Sequence, residues 1–118
     1  MKRFLVVTRS APYGSVSARE ATDLALATAL FDQSVALLFI DDGVFQLLKD
    51  QNPKEIRQKN VNAIHQALPL YDVDQLFVCE ASLAARGLKT SDLAQPVKVM
   101  DTLDLKALLA EQDHILHV

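Results

Sequence analysis

The 118-residue sequence has a single cysteine, three glycines and four prolines, no surplus of positive charge and no long apolar run. Each scarcity removes a class of protein. One cysteine cannot build an internal disulfide framework, and without a resolving partner in the chain any thiol relay through it has to pass between proteins. A lone reduced thiol suits a cytosolic chain. Hydrophobic residues at 50% against 23% charged, with so little Gly and Pro, describe a globular composition free of disordered or low-complexity tracts. The formal charge of -3 and the scattering of the twelve Lys and Arg leave no reservoir of positive charge for a phosphate backbone. Direct, stable binding of tRNA or DNA by this chain alone is therefore not expected. No run approaches the roughly 18 apolar residues of a spanning helix. The start, Met1-Lys2-Arg3 followed at once by Phe4-Leu5-Val6-Val7, lacks the length and cleavage site of an export signal.

What is present is one domain, residues 1–118, in which apolar runs alternate with helical patterns. Arg3 to Thr8 (RFLVVT) reads as a buried strand, and Ser34 to Ile40 (SVALLFI) as a second, continuously apolar in the way of a strand covered on both faces. Between them, Ser17-x-x-Glu20 forms a capping box. It opens a helix to about Phe31, whose apolar face runs through Ala21, Leu24, Ala25, Thr28 and Leu30 or Phe31. Val44 to Leu48 predicts one or two helical turns. Asn52-Pro53 predicts the start of a longer helix toward Leu68, which Pro69 helps to end. Gln75 to Cys79 is a third strand, Ala81 to Arg86 a short helix stopped by Gly87, and Pro96 to Met100 a fourth strand. Thr102 to Gln112 is a helix capped by Thr102, and His114 to Val118 a last strand. This alternation predicts an α/β fold, a three-layer α/β/α sandwich with a mostly parallel five-stranded sheet. In such sheets chemistry gathers at the carboxyl ends of the strands, here the loops beginning near Arg9, Asp41 and Cys79 and after Met100.

Cys79 is the candidate catalytic residue. It ends a strand and precedes a helix, and free N–H groups at a helix N-terminus favour a thiolate. A thiolate can take sulfane sulfur from a persulfide and hold it as its own persulfide. The carboxylate of Glu80 opposes this, and a small residue filling a buried gap is the plain alternative. Other candidates are weaker. The loop Thr8 to Ser15 (TRSAPYGS) superficially resembles a phosphate loop, as a nucleotide- or flavin-binding module would need, but holds a single Gly. Asp41 and Asp42 lack acidic companions after the first strand and read as strand-end and capping residues rather than a Mg²⁺ or phospho-acceptor pocket. His65, His114 and His117 have no companions at ligand spacing, so neither a metal nor another cofactor is expected. Two apolar clusters, Phe45-x-Leu47-Leu48 and Leu68-Pro69-Leu70-Tyr71, read as core or as a partner surface. Arg57 and Lys59 read as a solvated helix face.

Taken together, Ala11-Pro12-Tyr13-Gly14, the run Phe39-Ile40-Asp41-Asp42-Gly43-Val44-Phe45-Gln46-Leu47-Leu48, Leu70-Tyr71-Asp72, and Val78-Cys79-Glu80-Ala81-Ser82-Leu83 with Arg86-Gly87-Leu88 resemble the TusC/DsrF branch of the DsrE/DsrF/DsrH family. The resemblance runs the length of the chain. It implies a cytoplasmic sulfur-relay subunit, assembled with TusB-like and TusD-like relatives into a heterohexamer. In that relay persulfide sulfur passes from TusA to TusE, and on to 2-thiolation of the tRNA wobble uridine, while the Dsr versions serve sulfur oxidation. It also implies that the main sulfur-carrying cysteine belongs to the TusD/DsrE-type sister. Cys79 matches that position in a branch regarded as auxiliary. Neither direct nucleic-acid binding nor a membrane is implied.

Overall fold

The structure, a computed structural model, describes residues 2–9, 17–31, 33–48, 75–93 and 97–118. Five strands form one sheet: β1 (Arg3–Thr8), β2 (Ser34–Phe39), β3 (Gln75–Cys79), β4 (Lys98–Met100) and β5 (His114–His117), in the order β4-β3-β2-β1-β5. All the pairings are parallel. The chain steps outward from β1 to β4, then crosses back to place β5 on the other side of β1. Both chain ends therefore lie on adjacent strands, fastened where the Arg3 N–H donates to Asp113 Oδ2 at 2.7 Å.

The central strands are apolar throughout because both their faces are covered. On one face Val6, Leu37, Phe39, Leu76 and Val78 pack beneath Ala21 and Ala25 of α1 (Ser17–Ala29) and Leu83 of α2 (Glu80–Ala85). On the other, Leu5, Val7, Ala36, Leu38 and Met100 meet Leu108 of α3 (Thr102–Ala110). The register explains the sorting: Leu5 lies beside Ala36 and Val6 beside Leu37, so neighbours across strands share a face. The expected three-layer sandwich with its five-stranded sheet is what the chain forms.

Several expectations are refined. The helix predicted to run to about Phe31 stops at Ala29. Leu30 and Phe31, one or the other of which is expected to end its apolar face, are instead 74% and 76% exposed. The turn into β2 is fixed there by polar contacts: Gln33 Nε2 donates to the Phe31 carbonyl, and the Lys2 N–H donates to Gln33 Oε1. The cap of α3 is Asp101, not Thr102. Asp101 Oδ1 accepts the Asp104 N–H at 2.8 Å, and Asp104 returns a longer contact to the Asp101 N–H, making a capping box one residue earlier than read. β4 begins at Lys98 rather than Pro96. The helix expected from Asn52-Pro53 to Leu68, the Leu68–Tyr71 cluster, His65, Arg57 and Lys59, and the side chain of Ser17 lie outside the described residues.

Candidate functional site at the carboxyl edge of the sheet

Because the strands are parallel, the segments leaving β1, β2, β3 and β4 all meet at one edge: Thr8-Arg9, Ile40 to Gly43, Cys79-Glu80 and Asp101. A short 3₁₀ segment, Asp41–Leu47, is seated beside the end of β1. The Ile40 N–H donates to the Thr8 carbonyl at 3.1 Å. A Cβ on Gly43 would fall 2.3 Å from that carbonyl oxygen, so only glycine lets the backbone approach this closely. Val44 and Leu47 are fully buried, and the buried Gln46 amide donates to Thr8 Oγ1 at 2.9 Å. The Phe45-x-Leu47-Leu48 cluster thus works largely as core: Leu47 is buried, and Phe45 and Leu48 are half-buried.

Asp41 holds a positive φ of 49°, and its carboxylate lies 3.9 Å from Arg9 Nε. Asp42 accepts from Arg86 Nε at 3.1 Å. The cap of the segment is Ile40, whose apolar side chain makes no capping hydrogen bond, so Asp41 and Asp42 lie in its first turn rather than at the cap. Both pair with arginines brought in from other elements.

Cys79 is the last residue of β3 and the cap of α2, half-buried, with extended backbone (φ -75°, ψ 119°) and no capping bond from its sulfur. Its neighbour across the ladder is Met100, and the Glu80 that follows is exposed. The rest of that segment is helix architecture. Ser82 Oγ accepts the Asp41 N–H at 3.0 Å, and Leu83 is buried against the sheet. Gly87, at φ 67°, closes the helix in a Schellman motif: the Leu88 N–H reaches the Leu83 carbonyl at 3.0 Å and the Gly87 N–H reaches Ala84 at 3.1 Å. A thiol so placed can meet a sulfur donor at the sheet edge, or it can fill the seam between strand and helix.

Of the candidate histidines, His117 ends β5 opposite Val7, toward this edge, and His114 lies at the other end of the strand. His114 stacks on Phe4 with ring centroids 4.8 Å apart, at the amino edge of the sheet. Among the described residues no group of His, Cys, Asp or Glu stands close enough to hold a metal ion. None of the described helices is long and apolar enough to cross a membrane. Residues 10–16, which carry most of the TRSAPYGS loop, lie outside the described residues. Sequence patterning missed one feature. An open groove of about 590 Å³, lined by Lys2, Phe4, Leu24, Ala27, Thr28, Phe31 and Gln33, lies alongside α1. The signal available for it was the pair Leu30-Phe31 continuing an apolar stripe past the helix end.

Comparison with known proteins accounts for this architecture. The DsrE/DsrF-like family model matches residues 2–118. The chain is similar to a protein named "Protein TusC homolog" from Pseudomonas aeruginosa, 45% identical over 112 residues that cover 95% of this chain and 94% of that one. It is similar also to "Intracellular sulfur oxidation protein DsrF" from Allochromatium vinosum, 36% identical over 129 aligned residues, covering 98% and 95% of the two chains. Among solved structures, the ychN protein from E. coli superposes with a TM-score of 0.86 at 25% identity, and covers 100% of both chains. A protein from Methanobacterium thermoautotrophicum, MTH1491, shares the fold at a TM-score of 0.72 and 14% identity. The chain belongs to the DsrE/DsrF-like family, on its TusC/DsrF branch.

Proposed function

We propose that this chain is a subunit of a TusBCD-type sulfur-relay complex in the cytoplasm. The complex passes persulfide sulfur from a TusA-type donor to a TusE-type acceptor, on the way to 2-thiolation of the tRNA wobble uridine. In this reading the chain is an auxiliary subunit that assembles with TusB-like and TusD-like relatives in a heterohexamer and positions the sister that carries sulfur. The observation that carries it is the match to the TusC homolog across nearly the whole of both chains. Phe31, which lines the α1 groove, and its exposed neighbour Leu30 are the apolar surface an assembling subunit would use. A relay handing sulfur from protein to protein also fits a chain with no surplus of positive charge. The test is purification of the chain with and without its two relatives. Co-elution in one complex is expected, and a well-behaved monomer that ignores both refutes the reading.

A second reading makes the chain a persulfide-carrying sulfurtransferase through Cys79, favoured by the placement of that thiol at the carboxyl end of β3. The Cys79 thiolate would attack the terminal sulfur of a donor persulfide and release the donor cysteine as its thiolate, leaving a persulfide on Cys79. Intact-mass measurement after incubation with a persulfide donor would show one added sulfur on Cys79. The similarity to DsrF gives the alternative pathway, sulfur oxidation, in which the same subunit architecture would serve other carriers.

A further inference from the structure

The 3₁₀ segment and α2 are tied together by contacts that join residues 41 and 44 positions apart in sequence. Ser82 Oγ accepts the Asp41 N–H at 3.0 Å. The Arg86 guanidinium spans the joint: Nε donates to Asp42 Oδ1 at 3.1 Å while Nη1 donates to the Ser82 carbonyl at 3.2 Å. The helix so held has six residues, too few to persist in water unaided. Its outward residues Glu80, Ala81, Ala84 and Ala85 are exposed, and only Ser82 and Leu83 are buried. A short element with a single apolar anchor and a polar tether is the kind of unit that opens locally, below the free energy of global unfolding.

We infer that Arg86 is a latch: its pairing with Asp42 holds α2 against the turn after β2, and its release lets α2 open from the sheet and uncover the half-buried Cys79 from which α2 starts. The device stands on this geometry whether or not Cys79 carries sulfur. If the sulfur-carrying reading holds, the latch gates the thiol. The Asp42 side chain is 60% exposed and that of Arg86 24%, so the pair acts at the scale of a surface bridge and is open enough to feel salt.

The experiment uses the full chain and reads the rate at which iodoacetamide alkylates Cys79, by intact mass, in wild type, Arg86→Gln and Asp42→Asn. Asp42 is surface-exposed, so Asp42→Asn keeps the test open should Arg86→Gln fold poorly. Both variants are expected to raise the rate about two- to fivefold, the scale of a surface ion pair. The rise should not grow with urea below the unfolding transition, as local opening requires. The ratio to wild type should persist at about pH 9, where ionisation of an ordinary thiol no longer limits the rate. Raising salt from about 0.05 to 0.5 M should move the wild type toward the variants. Unchanged rates in both variants overturn the latch, as does a rise that follows global unfolding or that vanishes at high pH. Alkylation that behaves as expected while sulfur transfer is indifferent to Cys79 leaves the latch standing and removes the sulfur-carrying reading.

Discussion

Replacing Gly43 by alanine places a methyl group 2.3 Å from the Thr8 carbonyl oxygen, 3.0 Å from the Thr8 carbonyl carbon and 3.3 Å from Arg9 Cα. The first distance is roughly 1 Å short of ordinary contact, and every atom it meets is backbone, which cannot rotate aside. Relief has to come from moving the 3₁₀ segment off β1. That movement would disturb the fully buried Val44 and Leu47, the bond from Gln46 to Thr8 and the Ile40 bond to the Thr8 carbonyl. Overpacking of a tight site costs about 1–3 kcal/mol, and loosening two buried aliphatic side chains adds to it, so a loss of about 2–4 kcal/mol is expected. At about 4 °C per kcal/mol for a chain of this length, Tm should fall by about 8–16 °C. Gly87→Ala provides the internal comparison. Gly87 has a positive φ of 67° but nothing within 4 Å of its absent Cβ, so only the left-handed backbone is penalised, by about 1–2 kcal/mol. Thermal unfolding followed by circular dichroism on both variants gives the order. A Gly43→Ala chain that melts within about 2 °C of wild type, or above Gly87→Ala, refutes the close-approach reasoning.

Three further outcomes are expected. Asp101→Ala should cost about 1 kcal/mol, as loss of an N-cap does, while Thr102→Ala should change stability by less than about 0.5 kcal/mol; paired urea titrations separate the two. Asp113 has its acidity raised chiefly by the hydrogen bond from the Arg3 N–H. The folded chain therefore holds fewer protons than the unfolded one in the acid range, and this contribution is present above the ordinary aspartate value near 3.9. It is lost as pH falls through the lower folded value, so the Tm difference between wild type and Asp113→Asn should shrink from about pH 5 to pH 2. Phe31→Ser with Leu30→Ser should leave the isolated chain folded, because both side chains already face solvent, while weakening co-elution with the proposed TusB-like and TusD-like partners on size exclusion. Unchanged co-elution would remove the α1 groove from the interface.

The sheet was legible because its signal is local. The runs RFLVVT and SVALLF are apolar at successive positions, as strands buried on both faces must be, and β1 begins and ends where that pattern does. Gly87 was legible as a helix stop for the same reason, its left-handed φ being a property of the residue. Thr102 was misread because Asp101 and Thr102 are both good caps and adjacent; the partner at Asp104 selects the residue three before it. The end of α1 was misread because apolar periodicity continues into Leu30-Phe31, whereas the chain turns through contacts of Gln33 with Lys2, 31 residues away. The site divides in the same way. The position of Cys79 at a strand end followed from its flanking sequence. The bridge from Asp42 to Arg86, 44 residues apart, and the packing of Gly43 on Thr8 depend on a parallel sheet bringing distant loop ends together. Both family motifs therefore hold residues whose tasks appear only once the edge is assembled.

The role of Cys79 decides between the two proposed readings of this chain, and the reconstituted relay measures it directly. With the sister subunits assembled, a persulfide-loaded TusA-type donor and a TusE-type acceptor, sulfur delivered to the acceptor is read by intact mass for wild type and Cys79→Ser. An auxiliary subunit predicts the same rate for both within about twofold. A Cys79→Ser complex that assembles normally but delivers no sulfur contradicts the account, and makes this thiol a carrier in its own right.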